Sequence, residues 1–490
     1  MSKRLICTCE DVLATDVEHA LAQGYRDIES LKRYTGFGTG ACQGKNCISS
    51  VAKLLASPQP FTARPPQCQV DLNTLKTITG PSPGAVAQTQ PWVPPMPIPE
   101  SSAETSLPEK AKVVIIGGGI MGLALAHNLA LRGETDVVVL ESGYLCAGAS
   151  GRNGGGVRMQ WGTAINIEWA KRSIELMKSF AAELKINIWL RQGGYLFLAQ
   201  SDAGARRMEK YGTLQRRMGL NAELISLEGA RELVPQLDLK SIKLCAYNPD
   251  DGVIFPWPFL WGYADACRRK GVRIETFTEV TGFELSQQRI KKVLTSRGSI
   301  ACDTVVLAAG AWSPKVAALA GIELPNRPYR HEILSLEPLK PFLGPLVSVL
   351  DSGLYFSQSA RGEVVAGMGN PLEPPGLNLE SSFEFLQRIA GALTERMPLL
   401  GSVKVVRQWA GCYDLTPDNN PILGRTPGLP NLLQMSGFVG HGFMMAPAVA
   451  ERMAAWMAGE TDDIFSRFNL ERFERATVGG TLHREEMIIG

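Results

Sequence analysis

From Lys112 to Ser142 the chain reads KVVIIGGGIMGLALAHNLALRGETDVVVLES, and the period of its apolar positions changes twice. The β-branched run Val113 to Ile116 predicts a buried strand, Leu123, Leu125, Ala126 and Leu129 recur at near-helical spacing, and Val137 to Leu140 predicts a second strand. Strand, tight turn, helix, strand is the resulting unit. Elsewhere the patterning predicts short helices over 11–22 and 28–34, a helix over 170–184 and strands over 195–199 and within 273–284. TVVLAAGAWSP returns as a strand, LYFSQSARGEVVAGMG is a hairpin turning at Arg361-Gly362, and a helix spans 446–458. Between Ser57 and Lys110 the pattern lapses, with twelve of the chain's 31 prolines in 54 residues. Such chain is semi-rigid and extends at about 3.1 Å per residue. The predicted organisation is a small domain at 1–55, a linker at 56–110 and a large domain at 111–490, with a subdomain at about 160–275 and 325–405.

Gly117, Gly119 and Gly122 fit Gly-x-Gly-x-x-Gly at the strand-to-helix junction, the first for the turn, the second for close approach of a pyrophosphate, the third for seating the helix. The helix N-terminus offers its N–H groups to phosphates. Glu141 closes the second strand, where a carboxylate takes the adenosine ribose hydroxyls. A glycine-tolerant structural turn is the plainer alternative. The apolar stretch from Val113 to Ala126 is shorter than the ~20 residues of a membrane span and holds four glycines.

Composition adds bounds. The chain has 490 residues, 45% hydrophobic and 20% charged, with net charge +2, so neither a nucleic-acid partner nor a charged membrane surface is implied. The start MSKRLICTCEDV has a basic pair but no apolar signal region, which points to the cytoplasm. Ten cysteines are too few for a disulfide scaffold, yet Cys7, Cys9, Cys42 and Cys47 crowd the first fifty residues as C-x-C and C-x4-C. Four thiolates suit a 2Fe-2S cluster, with Gly36, Gly38, Gly40 and Gly44 freeing N–H groups for the sulfurs. They suit zinc equally by count, and a relic without metal is the third possibility. Cys68, isolated in the linker, reads as a free thiol.

Residues 1–55 resemble the small ferredoxin domain first described as bacterioferritin-associated ferredoxin. That family has C-x2-C as its second pair; the C-x4-C of CQGKNC is similar to the variant in heteromeric amine dehydrogenases, such as opine-oxidising and cyanide-forming enzymes. The nucleotide motif, CAGASGRNGGGVRMQ and RQWAGCYDLTPDNNPILG…MSGFVGHGF together resemble the D-amino-acid oxidase-like flavoproteins, especially the sarcosine-, glycine- and proline-oxidising branch and the β subunits of heteromeric enzymes. The resemblance covers about 112–459. It implies an α/β fold: a Rossmann-type FAD-binding domain with an α+β substrate domain, plus a small helical N-terminal 2Fe-2S domain.

The same resemblance places FAD along Gly117, Gly119, Ile120, Met121, Gly122, Glu141, Ser142, Ser150, Gly151, Arg152, Asn153 and Gly154, with the Val280 backbone at the adenine. Ala309, Gly310, Gly411, Gly437, Gly440, His441, Gly442 and Phe443 follow near the ring, where the helix over 446–458 stabilises charge on the reduced flavin. Arg158 is assigned to a substrate carboxylate, against a salt-bridged loop arginine; His441 and Tyr413 lie near flavin and substrate. Asp251 and Gly252 mark the entrance to the substrate domain. Tyr355 and Phe356 either wall the pocket or are plain core. Two departures qualify the resemblance. Gly411 stands where monomeric sarcosine oxidases bond FAD through cysteine, with Cys412 one place away, so the flavin is expected noncovalent. Met444 stands where they carry a substrate-binding lysine. The segment between His127 and His331 lacks the histidine that tethers a second flavin in sarcosine-oxidising relatives.

The function implied is FAD-dependent oxidation of an amine or amino acid of sarcosine, proline, hydroxyproline, glycine or opine type. Electrons pass through the 2Fe-2S cluster to a quinone or dye-like acceptor, which would make the protein peripheral to a membrane. Implied partners are a second nucleotide-binding subunit and a small ferredoxin-like subunit, with a second flavin, FMN, at the interface. The alternatives are a glycerol-3-phosphate-type polyol or hydroxy-acid dehydrogenase, and a non-catalytic electron-transfer subunit.

Overall fold

The computed structural model describes residues 4–40, 42–55, 69–78, 106–477 and 484–487. Cys68 and most of the proline-rich stretch lie outside them.

The first sheet has eight strands built on the predicted unit. Lys110–Ile116 sits between Val137–Leu140 and Gly298–Leu307, all parallel, with Val114 opposite both Val138 and Val305. Arg273–Glu275 extends one side in parallel, and Leu429–Ser436 runs parallel to Gly298–Leu307 on the other. Central strands buried on both faces need continuous apolar runs, which is why VVII and VVVL carry no alternation. Helices Ile120–Leu131, Ala164–Glu183, Pro256–Arg269 and Gly442–Met457 share one apolar core over this sheet.

The second sheet has nine strands, in the order Val70–Asp71, Lys404–Leu415, Arg327–Pro338, Glu363–Met368, Tyr355–Gln358, Leu346–Val349, Tyr195–Ala199, Leu244–Asn248, Glu223–Ile225. Helix Phe383–Arg396 covers one face through Phe385, Leu386, Ile389 and Leu393, leaving the opposite face for a site. The hairpin turns as expected, with Gly362 at φ 96° between its strands.

Three expectations shift. The first helix begins at Ala14 rather than 11, because Val12–Leu13 pairs with Leu5–Cys7 and Asp11 takes φ 51°, outside the helical region. Within the stretch read as linker, Val70–Asp71 adds an edge strand to the second sheet and Leu72–Thr77 buries Leu72 and Leu75 in its core. Residues 256–275, assigned to the substrate subdomain, belong to the first sheet, since Arg273–Glu275 pairs with Val137–Leu140.

The small domain docks where the two sheets meet. Tyr25 packs on Tyr34 and Trp261, ring centroids 4.6 Å apart in each pair, and its hydroxyl reaches Asp265 at 3.3 Å. Arg33 donates to the Tyr144 hydroxyl at 2.7 Å, covers the Tyr144 and Trp257 rings, and pairs with buried Glu29. On the other flank Glu10 pairs with Arg361 at the hairpin turn, and Gln43 donates to the Val406 carbonyl. Removing Arg33 takes one cation away from the buried Glu29 carboxylate. Arg33→Ala is expected to destabilise this docking by about 3 kcal/mol, read as loss of hydrogen-exchange protection over 25–35 while the first sheet keeps its own. Unchanged protection would mean that the apolar contacts suffice.

Candidate functional site

At the dinucleotide end, Gly117 has φ 117°, and a Cβ there would stand 2.4 Å from the Ala308 carbonyl oxygen; one on Gly122 would stand 2.0 Å from the Gly117 oxygen. Both positions therefore exclude a side chain. A Cβ on Gly119 would meet only the Ser150 hydroxyl, at 3.1 Å, so the approach to this residue is open. Gly119 is the N-cap of Ile120–Leu131 and has no side chain to cap it, and the Ile120 N–H donates to the Ser150 hydroxyl at 2.9 Å. A helix N-terminus with a glycine N-cap behind a glycine turn fits a pyrophosphate. Glu141 accepts from Gly118 N–H at 2.9 Å and Gly143 N–H at 2.8 Å, and burial raises its pKa. Ser142 follows it, and Val280 opens a strand two residues past Thr278, whose N–H meets the Glu141 carbonyl at 2.8 Å.

The glycine-rich loop then folds back. Asn153 donates to the Ser150 carbonyl and accepts from Gly155 N–H at 2.7 Å, and a Cβ on Gly151 would strike Trp257 at 2.3 Å. Arg152 donates to the Ala147 carbonyl at 2.7 Å and the Ala410 carbonyl at 3.1 Å, and its own carbonyl takes the Trp409 indole N–H at 2.8 Å. A Cβ on Gly411 would lie 3.3 Å from the Arg152 Cβ, while Ala309 and Gly310 close the strand against Gly117. The late glycines converge on the same place: Gly437 and Gly440 have φ 77° and 79°, and a Cβ on Gly440 would press on Tyr413 at 2.5 Å. Gly442 approaches Met121 of the first motif. Phe443 instead turns its ring to Phe259, 5.2 Å away edge-on, leaving only its backbone to face a cofactor.

Above Gly154 and Gly156 lies the inner face of the second sheet. His331 stacks on Tyr413 at 4.6 Å and on Tyr355 at 5.7 Å, and its Nε2 meets the Tyr355 hydroxyl at 3.0 Å. Strand alternation separates the predicted pair: Tyr355 faces this cluster, and Phe356 is fully buried in the opposite core. Arg158 is 1% exposed. Its guanidinium lies 3.7 Å over the Trp161 ring, donates to the Gln160 and Met487 carbonyls at 2.5 Å each, and stands 3.4 Å from His441 Nε2. It forms no ion pair among the described residues. Trp161 and the segment 484–487 enclose Arg158. Burial lowers its pKa, takes His331 to about 4 and holds His441 neutral.

Two buried acids position these groups. Asp251 accepts from Met159 N–H at 2.7 Å, Gln160 at 3.0 Å and Asn248 at 2.8 Å, fixing the backbone beyond Arg158. Asp414 accepts from Gly437 N–H at 2.6 Å and Asn326 at 2.5 Å, and its carbonyl takes Val439 N–H, so it fixes the turn before His441. His331, Asp414 and Glu485 escaped the sequence reading. The only signal was a polar residue at an inward position of an apolar strand, as at His331 and Asp414; Glu485 had none.

The four small-domain cysteines lie near one another in two pairs, Cys9 beside Cys42 and Cys7 beside Cys47. The backbone of Gly44, Lys45 and Asn46 runs beside the Cys42 sulfur, and that of Gly38 beside the Cys47 sulfur. Among the described residues no three such side chains stand as a ready metal-binding set.

Residues 112–456 match the FAD dependent oxidoreductase family. The chain belongs to that family. FAD is therefore its cofactor, in keeping with the glycine N-cap of that helix and the converging glycines. Residues 1–78 match the sarcosine oxidase A3 domain, a span that runs past 55 to take in the docked strand and helix at 70–77. The chain is 32% identical to sarcosine oxidase subunit beta of Rhizobium meliloti (strain 1021), covering 74% of this chain and 88% of that one. It is 28% identical to human mitochondrial dimethylglycine dehydrogenase, over 73% of this chain and 44% of that one. The solved L-proline dehydrogenase of P. horikoshii is 36% identical with a TM-score of 0.72, over 76% and 99% of the two chains. No described helix is long and apolar enough to cross a membrane.

Burial pushes the Asp414 carboxyl up to about 7. Because this folded-state pKa lies above the unfolded value, the stability it contributes is full below about pH 4 and is lost as pH rises through about 7. Asp414→Asn is expected to flatten that limb of a stability–pH curve, measured by denaturant unfolding. An unchanged slope would assign the titration elsewhere, to Asp251 for instance, which burial also pushes up to about 7.

Proposed function

We propose that the protein is a dehydrogenase of small carboxylate-bearing amines, of the sarcosine, proline, hydroxyproline, glycine or opine type. One observation carries this reading: Arg158 is a buried guanidinium with no carboxylate partner among the described residues, set in an aromatic cage beside the glycine turn. A desolvated cation calls for an anion, and a bidentate carboxylate satisfies it best. Relatives named for oxidising sarcosine, dimethylglycine and L-proline support the same class.

FAD, when bound, supplies the hydride acceptor for the carbon next to the amine. The chain's own residues prepare the substrate. Arg158 orients its carboxylate, and the same positive charge, with exclusion of water, disfavours an ammonium and so delivers the neutral amine. Neutral His331 and the Tyr355 hydroxyl offer polar atoms on the cage wall, Tyr413 stacks behind His331, and His441 keeps Arg158 aimed. A glycerol-3-phosphate-type substrate would want a second cation where these neutral histidines stand.

Cys7, Cys9, Cys42 and Cys47 are proposed to hold a 2Fe-2S cluster, with the glycine-rich backbone beside Cys42 close enough to serve its sulfurs. Val406, which accepts from Gln43 beside these cysteines, and Ala410, which accepts from Arg152, are four residues apart on one strand, about 13 Å at strand rise. That proximity favours electron exit through the small domain to a quinone or dye, and relatives named as a subunit beta favour further subunits, proposed to be a second nucleotide-binding subunit and a small ferredoxin-like subunit with an interfacial FMN. The cytoplasm remains the proposed location, peripheral to the membrane if the acceptor is a quinone. A purely electron-transferring subunit is the second reading, and amine-dependent dye reduction by this chain alone excludes it.

Arg158→Ala is expected to raise KM for a carboxylate amine over its amide by about 1.5–3 kcal/mol, roughly ten- to hundredfold. Equal loss on both would make the arginine structural. Serine at any of the four cysteines is expected to remove iron while FAD stays bound, measured by metal analysis and flavin absorbance. Stoichiometric zinc in the wild type would overturn the cluster assignment.

A further inference from the structure

The guanidinium of Arg158 is held partly from a distant part of the chain. Its Nη2 donates at 2.5 Å to the main-chain carbonyl of Met487, more than three hundred residues away in sequence. Two residues earlier, Glu485 is fully buried and saturated: it accepts from Gly162 N–H at 2.9 Å, the Thr163 hydroxyl at 3.0 Å, Asn166 Nδ2 at 2.9 Å and Met487 N–H at 2.8 Å. Gly162, Thr163 and Asn166 lie at the start of helix Ala164–Glu183, which has no side-chain cap of its own, so Glu485 supplies the anion that such an end favours. The Glu485 backbone is pinned as well, its N–H to the Asp418 carbonyl at 3.2 Å and its carbonyl to Asn419 at 3.1 Å. Glu486 reaches the Tyr211 hydroxyl at 2.5 Å, and the Met487 side chain fills an apolar pocket with Tyr195, Phe197 and Val253.

We infer that the segment Arg484–Met487 is a wall of the substrate site, and that Glu485 and Met487 are positioning residues that set Arg158 for a substrate carboxylate. This inference rests on the amine reading above. Two carbonyls, of Gln160 and Met487, take one proton from each terminal nitrogen and fix the guanidinium plane against Trp161. Being neutral, they orient the cation without cancelling its charge. The nearby carboxylates of Glu485 and Asp251 are each occupied by other donors, so the demand for an anion passes to the substrate. Deleting Glu485 would free Met487 O, and the guanidinium would lose its alignment rather than its charge.

The test compares wild type, Glu485→Gln and a chain stopped after His483, each with its FAD content measured. Steady-state kinetics use a dye acceptor with whichever carboxylate amine of the panel the wild type oxidises, and with that amine's amide. The expected result is a KM for the carboxylate amine raised on the order of tenfold or more in the stopped chain and several-fold in Glu485→Gln. The value of kcat, the KM for the amide and the FAD content should stay near wild type. A parallel titration with an unreactive carboxylate, read by flavin absorbance, should show the same weakening. Unchanged or tighter carboxylate binding, or equal loss on the amide, would overturn the inference. If the stopped chain fails to fold, Glu485→Gln alone decides. A wild type that oxidises no carboxylate amine sinks the amine reading instead, a distinct outcome.

Discussion

One strand, Lys404–Leu415, holds the three parts of the protein together through its backbone. One edge pairs along its whole length with Arg327–Pro338, from Arg327 opposite Leu415 to Leu336 opposite Val405; the other takes the short strand Val70–Asp71. Two of its carbonyls do the rest: Val406 receives Gln43 of the small domain, and Ala410 receives Arg152 of the loop that follows the dinucleotide motif. The next residues are Gly411, small enough for that loop to approach, then Tyr413 stacked on His331 and Asp414 at the turn before His441. A buried backbone group must find a partner, so sliding this strand would disturb cofactor site, substrate cage and small domain together.

Burial of charge is the second organising fact. Arg158, Asp251 and Asp414 lie within a neutral, aromatic interior, and each is fixed by main-chain groups or amides rather than by an opposite charge. Such groups gain little as stabilisers, since desolvation costs what their hydrogen bonds return. What they provide is position. Asp251 sets the backbone beyond Arg158, Asp414 sets the turn before His441, and the two meet where Arg158 Nη2 faces His441 Nε2.

Much of the fold was legible because its constraints are local. Gly117 and Gly122 exclude any side chain, VVII and VVVL are buried on both faces, and the hairpin turn needs Gly362 at positive φ; each is written in a few adjacent residues. The site was legible along its glycine loops for the same reason. What escaped depends on distant partners. Val70–Thr77 is too short to show a period, and it docks only because Lys404–Val405 leaves an edge open. Glu485 looks like any solvent-facing acid until the helix at Ala164 is placed beside it. His331 is one polar residue on an apolar strand, and its stacking on Tyr413 and Tyr355 joins three strands. Arg158 was picked from its loop, but its enclosure by Trp161 and Met487 was not visible there.

The central claim is that the cage around Arg158 delivers a neutral carboxylate amine to FAD. Anaerobic mixing of the purified chain with sarcosine, L-proline, hydroxyproline, glycine and an opine, followed at the long-wavelength flavin band, tests it most directly. The account predicts rapid bleaching with at least one of them and none with glycerol 3-phosphate. Bleaching by glycerol 3-phosphate alone, or by no member of the panel, would contradict it.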